Sequence, residues 1–219
     1  MFMNVGLISE RGIMNRFVQK LIAGAAAVSS ITAAHAADGK TSKPAKRTWP
    51  DMPTVPTDFN AERCFVELQD AGDGVVFQGP KNGPVVRLAF DTQCPWCVWQ
   101  YEQLKPFLKQ VTFIWHPVAV LNPWSELQGA AILSAKDRKA KFLEHEAHFH
   151  DKDFRGLDVR NVELPFDARK KVWDYSKAFR RACGISVPFG VLKTTDGRYI
   201  PVPQVTTEEF AKLSGLKPE

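Results

Sequence analysis

Four residues constrain this 219-residue chain more than any others: Cys94-Pro95-Trp96-Cys97, set at a seam between two contrasting segments. Before them, Val85-Val86-Arg87-Leu88-Ala89-Phe90 reads as a buried strand, rich in β-branched and aromatic residues. After the short turn Asp91-Thr92-Gln93, the stretch from Cys94 to about Gln110 reads as a helix, with Pro106 as a kink inside it. Two cysteines two residues apart, opening a helix directly after a core strand, mark thiol–disulfide chemistry. The unpaired N–H groups and dipole of a helix start favour a thiolate and lower the pKa of the first cysteine. Pro95 fits the first turn, where a missing N–H costs nothing. The pattern predicts Cys94 as the exposed nucleophile and Cys97, one turn deeper, as the resolving thiol. Half of a zinc site is the competing use of such a pair. It needs two further ligands, usually a second close pair, whereas Cys64 and Cys183 stand isolated.

Residues 1–36 read as a targeting segment rather than part of the fold. Arg16 and Lys20 precede an apolar run from Leu21 to Ala34, and Ala34-His35-Ala36 has the small-x-small form of a cleavage site. The pattern is best proportioned if translation starts at Met14. The run is shorter than the ~20 apolar residues a membrane span requires, so cleavage after Ala36 and export to the periplasm are expected. Removing three basic residues and one acidic residue lowers the net charge from +5 to +3. The basic residues that remain are scattered, which argues against a nucleic-acid partner. An oxidising compartment would permit structural disulfides and supply a C-x-x-C centre with protein substrates.

Residues 37–60 are rich in Pro, Thr and Lys and read as an extended arm. Cys64 to Gln69 reads as a short strand that turns through Asp70-Ala71-Gly72-Asp73-Gly74 into Val75-Val76-Phe77, a small hairpin. The arm and hairpin fill residues 37–80, and residues 81–219 form the main domain. There, Val111 to Trp115 is the next strand. Helices over Glu126–Ala135, Arg138 to about His148, and Asp167–Cys183 make an insertion spanning about 124–182. Val187–Leu192 and Arg198–Val202 pair across the Asp196-Gly197 turn. A closing helix starts at Thr206 or Thr207 and runs to about Leu213. Strand, motif helix, strand, helical insertion, hairpin and closing helix together predict an α/β, thioredoxin-like fold with a helical insertion.

The run from Arg87 to Cys97 resembles the active-site strand and helix of the DsbG/DsbC family of exported disulfide isomerases. Asp91 stands three residues before Cys94, as an Asp does in that family, and His116-Pro117-Val118-Ala119-Val120-Leu121 resembles its following strand and loop. Gly129 to Asp137 is close to the family's signature in the inserted helices, and Val187-Pro188 falls at its cis-proline. The resemblance covers about residues 83–216. It implies reactive Cys94, resolving Cys97, and a cis Val187–Pro188 bond facing them as a substrate-binding edge. Two positions depart from the family. Residues 37–80 are short for its dimerisation domain, which points to a monomer. Val187 replaces its usual Thr and is similar to the monomeric oxidase DsbA.

The resulting expectation is an exported thiol–disulfide oxidoreductase that acts on protein substrates and is reset by a membrane redox partner. Interchange of the DsbG/DsbC kind and a DsbA-like donor role both fit, and a non-catalytic thioredoxin-fold chaperone is the competing class. No metal, nucleotide or flavin cofactor is called for. Cys64 and Cys183 read either as a structural disulfide or as two buried thiols. Trp96 reads as an exposed aromatic that packs on substrate and tunes redox poise. Asp91 reads as a general base for Cys97 or as a turn-former. His145, His148 and His150, with Glu144, Glu146, Asp151 and Asp153, read as a solvated helix end rather than a metal site. Arg169-Lys170-Lys171 reads as a solvated helix face.

Overall fold

A mixed five-stranded sheet, in the order β1-β3-β2-β4-β5, carries the computed structural model, which describes residues 54–219. The strands are β1 (Val75–Phe77), β2 (Val85–Phe90), β3 (Thr112–Pro117), β4 (Phe189–Lys193) and β5 (Tyr199–Val202). β2 and β3 run parallel, and the other neighbouring pairs are antiparallel. Six α-helices accompany the sheet among the described residues: α1 (Ala61–Asp70), α2 (Pro95–Leu104), α3 (Pro123–Ser134), α4 (Arg138–Ala147), α5 (Phe166–Ala182) and α6 (Thr207–Ser214). The expected targeting segment and the start of the arm lie outside the described residues.

β2 is buried on both faces, which is why it reads as a continuous apolar run rather than an alternating one. Val86, Leu88 and Phe90 join one core with Phe113 and Trp115, Tyr101 and Leu104 of α2, Phe142 of α4 and Phe210 of α6. Ala89 joins the opposite core with Phe189 and Val191, Phe65 and Leu68 of α1, and Val172 and Tyr175 of α5. Phe142 lies 5.2–5.6 Å, centroid to centroid, from the rings of Phe77, Phe90, Tyr101 and Trp115. Edge-to-face pairs of this kind contribute about 0.5–1.5 kcal/mol each beyond burial, so α4 is seated firmly against the sheet.

The expected hairpin over Cys64–Phe77 is not formed. Cys64 to Gln69 lies within helix α1, capped by Asn60, whose side chain accepts from the Arg63 N–H at 2.8 Å. Cys64, Val66 and Leu68 alternate as a strand would, but the buried residues are Cys64, Phe65 and Leu68, a helical stripe, and Val66 is exposed. β1 pairs instead with β3, placing Val75 opposite Trp115. The motif helix is also shorter than expected. α2 stops at Leu104 and a 3₁₀ turn, Lys105–Phe107, holds Pro106, because proline has no N–H to donate to the Glu102 carbonyl and the α-helical ladder ends there.

Cys64 on α1 and Cys183 after α5 are joined by a disulfide with a Cα–Cα distance of 4.9 Å and a sequence separation of 119 residues. The bridge closes the chain from α1 to the end of α5 into one loop, a constraint on the unfolded chain worth up to about 4.7 kcal/mol in the entropy model. Replacing both cysteines by Ser is expected to cost roughly 2–5 kcal/mol in denaturant unfolding. Alkylation of the other two cysteines should proceed in that variant as in the parent.

Candidate functional site

Cys94 occupies the N-cap of α2, and Pro95 takes the first helical position. No regular capping hydrogen bond closes on the sulfur. The N–H groups of Trp96 and Cys97 nevertheless face it and favour its thiolate. A hydrogen bond from the Cys97 thiol is the largest influence holding the Cys94 pKa below its ordinary value, against the upward push of burial. Cys97 lies deeper, and burial drives its pKa well up, with the Cys94 charge adding to the effect. The two thiols are thus driven apart: the first poised to ionise, the second to keep its proton.

Cys94 is less open than the sequence predicts. It is 4% exposed, and its thiol donates to the Val187 carbonyl at 3.5 Å. The segment before β4 folds over the helix start, which covers the sulfur. The Val187–Pro188 peptide is cis. Cys94, Val187 and Trp96 share a groove of about 620 Å³ whose other walls are Val120, Leu121, Phe179 and Ile185. Among the described residues, Arg180 is the one charged residue in its lining. Trp96 is half-buried and stands edge-on to Trp99 at 6.1 Å.

The turn Asp91-Thr92-Gln93 that launches α2 is tied to the helical insertion by hydrogen bonds from all three residues. The Asp91 carboxylate accepts from the Ser125 hydroxyl at 2.6 Å, and the Gln93 amide donates to Gln128 Oε1 at 2.7 Å. Gln128 in turn donates to the Arg155 and Leu157 carbonyls, and the Arg155 guanidinium donates to the Gln93 carbonyl. His145 Nε2 lies 2.9 Å from the Thr92 carbonyl, while the Leu157 N–H donates to His145 Nδ1 at 3.3 Å. Those two partners fix the neutral tautomer with its proton on Nε2. Gly156 makes the ring's place possible. Its φ is +74°, and a Cβ there would lie 2.2 Å from His145 Cε1.

His145 is therefore buried, not part of a solvated helix end, because α4 turns that face toward the turn that launches α2. His148 does face solvent and pairs with Asp151 at 2.7 Å. Of the basic run on α5, Arg169 is committed to Glu126 and Lys171 to the Ala71 carbonyl. Sequence reasoning missed Ser125, Gln128, Arg155 and Gly156 as parts of the site. The signal available was Ser125 and Gln128, two uncharged polar residues three apart on one face of a helix that is otherwise largely apolar.

A larger cavity of about 790 Å³ lies within the insertion, between α3, α4 and residues 151–164. It is lined by neither free cysteine, and two ion pairs, Lys141–Glu144 and Arg160–Asp158, lie in its lining. The groove at Cys94 is the one lined by a free cysteine.

Among solved structures, Proteus mirabilis ScsC in a transitional conformation matches with a TM-score of 0.55 at 18% identity, over 72% of this chain and 80% of that one. A periplasmic thioredoxin-like protein from Salmonella enterica serovar Typhimurium gives 0.53 at 14% identity, over 74% and 97%. Pseudomonas aeruginosa DsbA2 gives 0.51 at 13% identity, over 65% and 92%. The chain has a thioredoxin-like α/β fold. No protein-family model and no curated protein matches it.

Burial lowers the His145 pKa to about 4, although its bond to the Thr92 carbonyl opposes the shift. The folded protein therefore refuses a proton that the unfolded chain accepts below about 6.5. Stability is expected to fall as pH drops from about 6.5 to about 4, by up to about 3 kcal/mol from this group. His116, lowered to about 3 by burial and Arg87, adds in the same direction. Urea unfolding across this range should show a shallower acid limb for His145→Gln, which can keep both hydrogen bonds without titrating.

Proposed function

We propose that this protein is an exported thiol–disulfide oxidoreductase that exchanges disulfides with cysteine-bearing protein substrates through Cys94 and Cys97. The observation that carries the reading is the opposed tuning of the two thiols at one helix start, beside an apolar groove. The Cys94 thiolate attacks one sulfur of a substrate disulfide, forming a mixed disulfide and releasing the other substrate sulfur as a thiolate. Cys97 then loses its proton and attacks the Cys94 sulfur. The second substrate thiolate leaves, the substrate is reduced by two electrons and the Cys94–Cys97 pair is oxidised. Run backwards, the same steps donate a disulfide. If a substrate thiol attacks the mixed disulfide instead, the net result is isomerisation.

Interchange of the DsbG/DsbC kind is supported by the run from Arg87 to Cys97 and by Asp91 three residues before Cys94. A second reading, a monomeric DsbA-like donor, is supported by Val187 before Pro188, whose carbonyl lies against the Cys94 sulfur. In either reading residues 1–36 direct export to the periplasm, residues 81–219 are the catalytic domain, and a membrane redox protein resets the pair. Trp96 lies in the groove as a surface for the substrate chain.

Refolding of a scrambled-disulfide protein in mild thiol buffer is expected to return native activity above the buffer alone. Cys94→Ser should fall to the buffer level, and Cys97→Ser should accumulate mixed disulfides with substrate. Oxidation of reduced substrate without any unscrambling would favour the donor reading. Suppressed aggregation that Cys94→Ser retains, with no exchange by the parent, would make the protein a chaperone.

A further inference from the structure

Asp91 is buried directly beneath the helix start, where a general base for Cys97 would be sought. Its carboxylate makes no hydrogen bond to either sulfur among the described residues. The group that touches Cys97 is the Asp91 backbone N–H, 3.4 Å from the sulfur. Each carboxylate oxygen instead takes two donors. Oδ1 accepts from the Gln93 N–H at 2.8 Å and the Ser125 hydroxyl at 2.6 Å. Oδ2 accepts from the Val120 N–H at 2.8 Å and the Leu121 N–H at 3.0 Å. An ionised carboxylate offers about four acceptor sites, so none is left aimed at a thiol proton. Proton abstraction needs an acceptor within hydrogen-bond reach of the proton, and that geometry is absent here.

The identity of the donors gives the carboxylate another task. Val120 and Leu121 form a wall of the groove beside Cys94. Leu121 is 53% exposed, so packing does little to hold it there. The loop from β3 to α3 is anchored at one end by Val118 N–H to the Phe90 carbonyl and by Ala119 N–H to the Ser176 hydroxyl. In its middle Val120 is half-buried against the core around Phe189 and Tyr175, Leu121 is exposed, and the amides of both hang on Asp91.

We infer that Asp91 is a positioning residue whose carboxylate folds the Val120–Leu121 loop into the wall that receives the substrate segment, and that it does not take the Cys97 proton. The role rests on the disulfide exchange proposed above, and it deepens that reading by assigning substrate capture to a loop outside the C-x-x-C motif.

Asp91→Ala and Asp91→Asn separate the two roles. Neither side chain can act as a base. Asn can still turn its carbonyl oxygen toward Val120 and Leu121 while its amide donates to Ser125. Steady-state exchange with a disulfide-bearing peptide is expected to show KM raised roughly tenfold in Asp91→Ala, equivalent to about 1.4 kcal/mol, and less in Asp91→Asn. The pH dependence of the Cys97 step, followed by stopped flow from a preformed mixed disulfide, should keep its shape in both. Leu121→Ala, which leaves the carboxylate untouched, should raise KM in the same direction. Amide hydrogen exchange at Val120 and Leu121 should accelerate in Asp91→Ala whatever the activity. A slowed Cys97 step that loses its pH dependence in both Asp91 variants, with KM unchanged, would overturn the inference and restore the base. Unaltered KM in Leu121→Ala, or unaltered exchange at the two amides, would also overturn it. If the parent exchanges no disulfides while the amides respond, the proposed function is what fails: the clamp is then real and its role in capture is not.

Discussion

The constraint on which the site depends is the first turn of α2. Its free N–H groups and its dipole act on whatever atom stands at the N-cap, and here that atom is the Cys94 sulfur. Such a field is local. It fades within a turn and is strongest where water is excluded, which the covered position of Cys94 provides. Burial alone would push a thiol's pKa up, as it does for Cys97. Cys94 escapes because three donors converge on it, two of them, the thiol and the N–H, from Cys97. The two sulfurs therefore need each other: the deeper thiol lends its proton as a hydrogen bond to the shallower sulfur.

For that geometry to hold, the turn between β2 and α2 must not move, and the helical insertion supplies the rigidity. Ser125 and Gln128 of α3, His145 of α4 and Arg155 of the following loop all end on Asp91, Thr92 or Gln93. Buried polar groups are costly unless satisfied, and this network satisfies them mutually. α4 is itself seated by Phe142 in the aromatic cluster, so packing on one sheet face is transmitted to the turn between β2 and α2. On the opposite face the Cys64–Cys183 bond holds α1 to the end of α5, just before the segment that carries Val187. In the proposed exchange reaction, a scaffold built this way keeps the turn between β2 and α2 in place when a substrate arrives.

Much of the architecture was legible because it is written in short-range pattern. The β2 run, the C-x-x-C at a helix start, the Asp196-Gly197 turn and the Thr206–Glu209 capping box each depend on neighbours within a few residues. The errors came where one pattern fits two structures. Cys64-Phe65-Val66-Glu67-Leu68 satisfies both a two-residue and a helical period. Only the contact of Phe65 and Leu68 with the α5 and β4 side of the core decides between them. His145 was misread for the same reason, since a histidine among charged residues looks solvated until the Thr92 carbonyl is brought 53 residues along the chain to meet it.

By itself, the sequence determined that a strand would hand a pair of thiols to a helix start, because strand burial, proline placement and the helix dipole are all local effects. Tertiary structure alone decided three things. It decided how far Cys94 would be covered, since that depends on the chain returning as Val187 from 93 residues away. It joined Cys64 to Cys183, which required two Cα atoms to come within 4.9 Å. And it decided where the Asp91 carboxylate would point, because a carboxylate turns to the donors that packing presents, and those donors come from a loop beyond the next strand.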